Sequence, residues 1–196
     1  MDLRKRRSQE KLQIALAQHL QNKTIDEITI GELTQTAGVS RQTFYSNFDS
    51  KQSILLNRIE SLFERSRENF ETLVTNGALG RQELVAEGFR HLLHEVDRER
   101  TMMRAAFTGQ AGIQCLSLLK DHLTTLIADR ILDQFNHNFD PLQLDTISDF
   151  YAGALIGTIQ GWLLDESGIK SINSVVKEVA KLFPHGLDAY VRPLDS

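Results

Sequence analysis

ITIGELTQTAGVSRQTFYSNFDSK, residues 28–51, is the stretch that decides the fold. Thr29 and Glu32 stand at Thr-x-x-Glu spacing, the capping box in which each side chain satisfies the other's orphan backbone N–H at a helix start. The helix so opened turns Leu33 and Ala37 inward. It stops at Gly38, whose missing Cβ tolerates the left-handed conformation common just past a helix C-terminus. Val39 plugs the angle, and Ser40 is a good N-cap for a second helix over residues 41–48. That helix presents Arg41, Gln42, Thr43, Tyr45 and Asn47 outward, with Phe44 and Phe48 beneath. Two short helices, a glycine turn and a hydrogen-bonding outer face make a helix-turn-helix, whose second helix can enter a major groove. An ordinary helical hairpin is the competing interpretation.

Beyond this general pattern, Leu33, Ala37-Gly38-Val39-Ser40, Thr43, Phe44-Tyr45, Phe48 and Lys51 resemble, position by position, the N-terminal domain of the TetR family of transcriptional regulators. The resemblance implies an all-α chain. An N-terminal three-helix helix-turn-helix domain, residues 1–51, would precede a C-terminal helical regulatory, ligand-binding and dimerisation domain, residues 52–196. It also implies a sequence-specific regulator, in the first instance a repressor released by a small-molecule effector, and no cofactor. The partners it implies are a near-palindromic double-stranded DNA operator and a second copy of the chain. Lys51 and Tyr45 would lie on phosphates, and Gln42 and Thr43 on base edges, with Thr29, Ser40, Arg41 and Asn47 completing the contact set.

Composition agrees with a soluble globular chain: 41% of the 196 residues are hydrophobic and 24% charged. No apolar run is long enough to span a bilayer, and the basic N-terminus lacks the apolar core of a signal peptide. A lone Cys115 excludes a disulfide framework within the chain and suits a reducing cytoplasm. The net charge of −4 is unevenly spread, for residues 1–51 hold eight Lys/Arg against six Asp/Glu. A mildly basic head on an acidic body suits a protein that meets phosphate with one end.

Arg4, Lys5, Arg6 and Arg7 form a basic cluster ahead of a first helix opening near Ser8. Beside a helix-turn-helix the cluster reads as an arm for phosphates or the minor groove, and by itself as a solvated terminus. Leu12, Ala15, Leu16 and Leu20 line one face of that helix, while Ile25 and Ile28 seal it. Lys51 opens a long helix that ends at Asn76-Gly77. Apolar spacing predicts further helices over residues 81–96, 113–136, 141–165 and 172–183, with a short segment over 101–108 and a last turn or disordered tail from Pro184.

The helix behind Asp140-Pro141 carries Gly153, Gly157 and Gly161 at intervals of four. Mid-helix glycines each cost roughly 1 kcal/mol against alanine, which points to close approach of another helix. Residues 150–170, FYAGALIGTIQGWLLDESGIK, are similar to the penultimate-helix region of one TetR branch. In the family the last two long helices pair with their copies, which would place Gly153, Gly157, Gly161, Val176 and Phe183 at a dimer seam. A neighbour within the same subunit is the alternative.

Catalytic and metal-binding patterns are weak. His91 and His94, with Glu87 and Glu95 near them, have permissive spacing, but the other histidines complete no ligand set, and a solvated helix face explains them. Cys115 as a thiol sensor would need a lowered pKa, and its apolar neighbours suggest a core residue. Phe89, Met102, Met103, Phe107, Phe150 and Trp162 could line an effector cavity, or be plain core. Arg104 nearby favours a small apolar or weakly anionic effector over a polycation. Two further readings are a DNA-binding regulator governed by a protein co-regulator, and an all-α enzyme for which no catalytic constellation is visible.

Overall fold

A computed structural model describes residues 3–108, 112–134 and 139–191. Side chains of Cys115 and Phe183, and residues Gly109, Phe135 and Asn136, lie outside the described part. Within it stand nine helices and no strand: α1 Leu3–His19, α2 Ile30–Ala37, α3 Arg41–Tyr45, α4 Lys51–Asn76, α5 Arg81–Arg98, α6 Arg100–Thr108, α7 Gly112–Gln134, α8 Pro141–Leu163 and α9 Ile172–Val191. No described helix is long and apolar enough to cross a membrane.

Contacts divide the chain into two compact units, Met1–Leu62 with Glu99–Leu118, and Phe63–Arg98 with Leu119–Ser196. The first unit therefore holds the beginning of α4 and all of α6 besides residues 1–51. Leu12, Leu16, Leu33, Phe44, Ile54 and Leu55 are fully buried within it, and α1 packs on α2 and α3. Polar bonds add direction to this packing: Gln13 Nε2 donates to Asn57 Oδ1 at 3.0 Å, and Arg58 pairs with Glu99.

In the second unit α9 packs along α5. Glu95 on α5, almost wholly buried, pairs with Arg65 of α4 at 3.1 Å and with Arg98. Lys120 and Thr124 of α7 donate to Asp149 of α8 at 2.9 and 3.2 Å. Gly88 is required where α5 meets Phe70, since a Cβ there would fall 2.4 Å from the ring. His122 stacks on Phe63 with centroids 5.1 Å apart, and burial lowers its imidazole pKa below the ordinary value.

Three element boundaries differ from the sequence reading. The basic cluster is part of α1, not an arm before it: Ser8 Oγ bonds the Arg4 carbonyl at 3.0 Å, and Arg6 pairs with Glu10 at 3.4 Å. Helix α3 closes at Tyr45, although Phe48 N still bonds Phe44 O at 2.9 Å. Helix α9 continues through Pro184 to Val191, where a tail was expected. A mid-helix proline costs about 3 kcal/mol, which the local pattern makes decisive and a longer helix can absorb.

Candidate nucleic-acid interface

Both ends of α2 are fixed by their own residues. Glu32 N donates to Thr29 Oγ1 at 3.2 Å while Thr29 N donates to Glu32 Oε2 at 2.8 Å, completing the reciprocal box. The Lys23 ammonium bonded to Glu32, followed by the Thr29 N–H and hydroxyl, pulls the Glu32 carboxyl down to about 2, so it stays ionised at neutral pH. Gly38 closes the helix at φ 62° and ψ 39°, with Val39 N reaching Thr34 O at 3.0 Å. Ser40 then opens α3, its hydroxyl accepting from Thr43 N at 3.0 Å. Phe44, at 0% exposure, anchors α3 from below. The turn angle is thus set by caps on both sides and by one buried ring.

Outward from that anchor stand Arg41, Gln42 and Tyr45, the last 58% exposed with its ring edge-on to Phe44 at 5.2 Å. Arg41 extends back over α2, where a Cβ on Gly31 would meet Arg41 Nη2 at 3.2 Å. Ser40 and Thr29 are exposed, yet their hydroxyls are engaged in the two caps. Thr43 is half-buried, its hydroxyl 2.9 Å from Ser40 Oγ. Asn47 does not face outward as the sequence suggested. Its Nδ2 donates to Thr43 O at 2.7 Å and its Oδ1 is buried without a partner, because α3 ends early and its last carbonyls need a donor.

Lys51 is likewise turned inward: Nζ donates to the carbonyls of Asp26 and Ile28, both at 2.8 Å. This ties the start of α4 to the α1–α2 connection. No linear spacing signals the contact, since donor and acceptors are 25 and 23 residues apart. Arg4, Lys5, Arg6 and Arg7 are exposed in the first turns of α1, whose first turn holds no acidic residue. Cations there oppose the helix macrodipole, at about 0.3–1 kcal/mol each, whereas an approaching phosphate would relieve the repulsion. This unit thus exposes four cations at the start of α1 and a short helix presenting Arg41, Gln42 and Tyr45.

The remaining candidates divide between the units. Met102, Met103 and half-buried Phe107 belong to the first; Phe89 and Trp162 are buried in the second. Phe150 is 71% exposed and lines no interior. Val176, at 1% exposure, is covered by its own protomer, because α9 turns that face toward α5. Gly153 and Gly157 have open space where a Cβ would stand, while Gly161 lies beside Lys170, whose Nζ bonds the Gly161 carbonyl at 2.9 Å. Ser148 Oγ, which the sequence reading passed over, and His91 Nδ1, which it set on a solvated helix face, are both buried in the second unit without a hydrogen-bond partner, and Glu95 of that supposed face is buried as well, because this side of α5 packs inward. Ser148 was findable, as a hydroxyl on the apolar face of Tyr151, Ala152 and Leu155. No group of three or more metal-ligating side chains is present among the described residues.

The family model TetR_C_8, described as a transcriptional regulator C-terminal region, matches residues 83–179. The HTH-type transcriptional regulator EthR of Mycolicibacterium smegmatis is 36% identical over 76 residues, which are 38% of this chain and only 35% of that relative. YdgC of Bacillus subtilis, an uncharacterized HTH-type transcriptional regulator, is 22% identical over 188 residues, 92% of each chain. A structure described as a TetR-family regulator from Syntrophomonas wolfei matches with a TM-score of 0.76 at 15% identity, over 96% of this chain and 98% of that one. Thermus thermophilus FadR, a TetR-family repressor in complex with lauroyl-CoA, matches with a TM-score of 0.64 at 20% identity over the same shares of the two chains, 96% and 98%. At such identities the structural likeness is one of fold.

Proposed function

The chain belongs to the TetR family of transcriptional regulators, and from that premise we propose that it is a homodimeric repressor released from DNA by a small molecule. In this reading residues 1–51 are the DNA-binding head and residues 52–196 the regulatory and dimerisation body. Two heads occupy successive major grooves of a near-palindromic operator, one α3 in each. Gln42 at the head of α3 reads a base edge, and Arg41, Tyr45 and the cations of α1 hold phosphates.

The observation that carries this reading is α3 itself: Arg41, Gln42 and Tyr45 are exposed above a fully buried Phe44, between caps that fix the helix before DNA arrives. A preorganised reader avoids ordering costs on binding. For the effector, the support lies in the Ser148 hydroxyl and His91 Nδ1 of the second unit, both buried without a hydrogen-bond partner. Each such orphan costs about 1–3 kcal/mol, which a ligand's polar group can recover. The fold-related repressor of Thermus thermophilus is in complex with lauroyl-CoA, a small-molecule ligand.

Selection of bound sequences from a random duplex pool tests the DNA half. A paired, near-palindromic consensus is expected. Gln42→Ala should relax one base pair per half-site, worth about 1–3 kcal/mol. Absence of any enriched duplex would remove the repressor reading.

A further inference from the structure

Gln13 interrupts the apolar run of Leu12, Ala15 and Leu16 on α1, and it is only 8% exposed. An amide in such a place costs free energy unless its polar ends are bonded. Both ends are: Nε2 donates to Asn57 Oδ1 of α4 at 3.0 Å, and Oε1 accepts from Arg58 Nη1 at 3.5 Å. The other terminal nitrogen of Arg58, Nη2, bonds the Glu99 carboxylate, whose side chain is 14% exposed. Glu99 stands between α5 and α6, and its carbonyl accepts from Met103 N at 2.9 Å in the first turn of α6. One guanidinium thus joins α1, α4 and the start of α6, all within the first unit.

Apolar contacts are non-directional, so a helix held by them alone can slide or turn against its neighbour at little cost. A largely buried polar network resists both movements, because a shift leaves amide or charged groups unbonded. Such networks add little net stability over apolar packing of the same volume, and their best-attested use is to fix register. Arg58 suits that task better than a lysine would, since two donors of its rigid fork serve two partners at once.

We propose that Arg58 is a positioning residue. Through Gln13 and Glu99 it registers α1 and the start of α6 on α4, and thereby sets the half-site spacing that the paired heads accept. The spacing role rests on the repressor reading; the register does not. Heads held in one register fit one separation of half-sites, whereas heads free to shift fit several.

Two measurements on the full chain test this. Without DNA, denaturant unfolding of Gln13→Leu, Glu99→Gln and the double variant reads the coupling carried by Arg58. The double variant should depart from additivity by about threefold or more in the unfolding constant, and the departure should vanish in an Arg58→Gln background. With duplexes selected from a random pool, affinity is then compared between the preferred half-site spacing and the same half-sites one base pair closer or farther. The wild type should lose about tenfold or more on each change, and Arg58→Gln and Gln13→Leu about threefold or less. Gln13→Leu keeps a good helix former at a buried place, and serves if Arg58→Gln folds poorly. Lost spacing preference with an unaltered consensus inside each half-site is a result that lowered stability alone does not produce. The proposal is overturned if the two changes add in the presence of Arg58, or if the variants keep the wild-type spacing preference. Coupling through Arg58 in a chain that selects no duplex would leave the register standing, and refute the repressor reading together with the spacing role.

Discussion

Lys51 has three N–H donors, and two are directed to the carbonyls of Asp26 and Ile28. One donor and the full charge remain for a phosphate. Removing the side chain should therefore have two separable effects. Lys51→Ala leaves two carbonyls without their charged donor, lowering stability by about 1–3 kcal/mol. If the ammonium also meets DNA, the same change weakens binding to every duplex and lowers the slope of log affinity against log salt by about one per head. A fall in melting temperature with an unchanged salt slope would make Lys51 a fastener of the loop and exclude the phosphate contact. Around it the residue reading was uneven. Thr29, Glu32, Gly38, Ser40 and Phe44 were legible because caps and core positions obey local spacing. Asn47 was misread, because its role depends on where α3 stops.

At the scale of the element, α8 has one flank that its own protomer leaves uncovered. Phe150 is exposed, Gly153 and Gly157 have nothing within 4 Å of a built Cβ, and Leu142 is exposed on the same stripe. A ring beside glycine hollows is self-complementary across a two-fold axis, as a shared seam requires. Because the space above Gly157 is empty, Gly157→Leu should fold, and should gain most of the roughly 1 kcal/mol that a mid-helix glycine forgoes. Its effect should appear only between copies, where overpacking costs about 1–3 kcal/mol. Sedimentation should find the variant shifted toward monomer, with operator affinity reduced because the heads are no longer coupled. An equally tight dimer of Gly157→Leu would move the seam off this flank. The glycine spacing was plain in the sequence, whereas the burial of Val176 was not, since which face of α9 meets α5 is a matter of packing.

For the molecule as a whole, α4 is one unbroken helix with residues in both compact units, and its first residue is bonded to the connection before α2. Trp162, buried to 4% exposure, is the single tryptophan, so its emission reports on one place in the second unit. A cognate effector should change that emission and weaken operator binding over the same concentration range. Linkage demands the reciprocal effect, a loss of effector affinity by the same factor when operator saturates the protein. Apolar and anionic libraries that neither alter the emission nor release DNA would count against a small-molecule trigger and favour a protein co-regulator.

The sequence by itself determined the all-α class, the helix-turn-helix and most helix limits, because caps, glycine stops and apolar periodicity act within a few residues of one another. It also carried the family, through a run of side chains that must sit together for α3 to be held. Only the tertiary structure decided that the basic cluster stays helical and that Lys51 clasps a loop more than twenty residues upstream. The same holds for Phe150 facing out while Val176 faces in, and for Glu99 meeting Arg58. These outcomes depend on which surfaces meet, and contacts between residues distant in the chain leave no mark on local spacing.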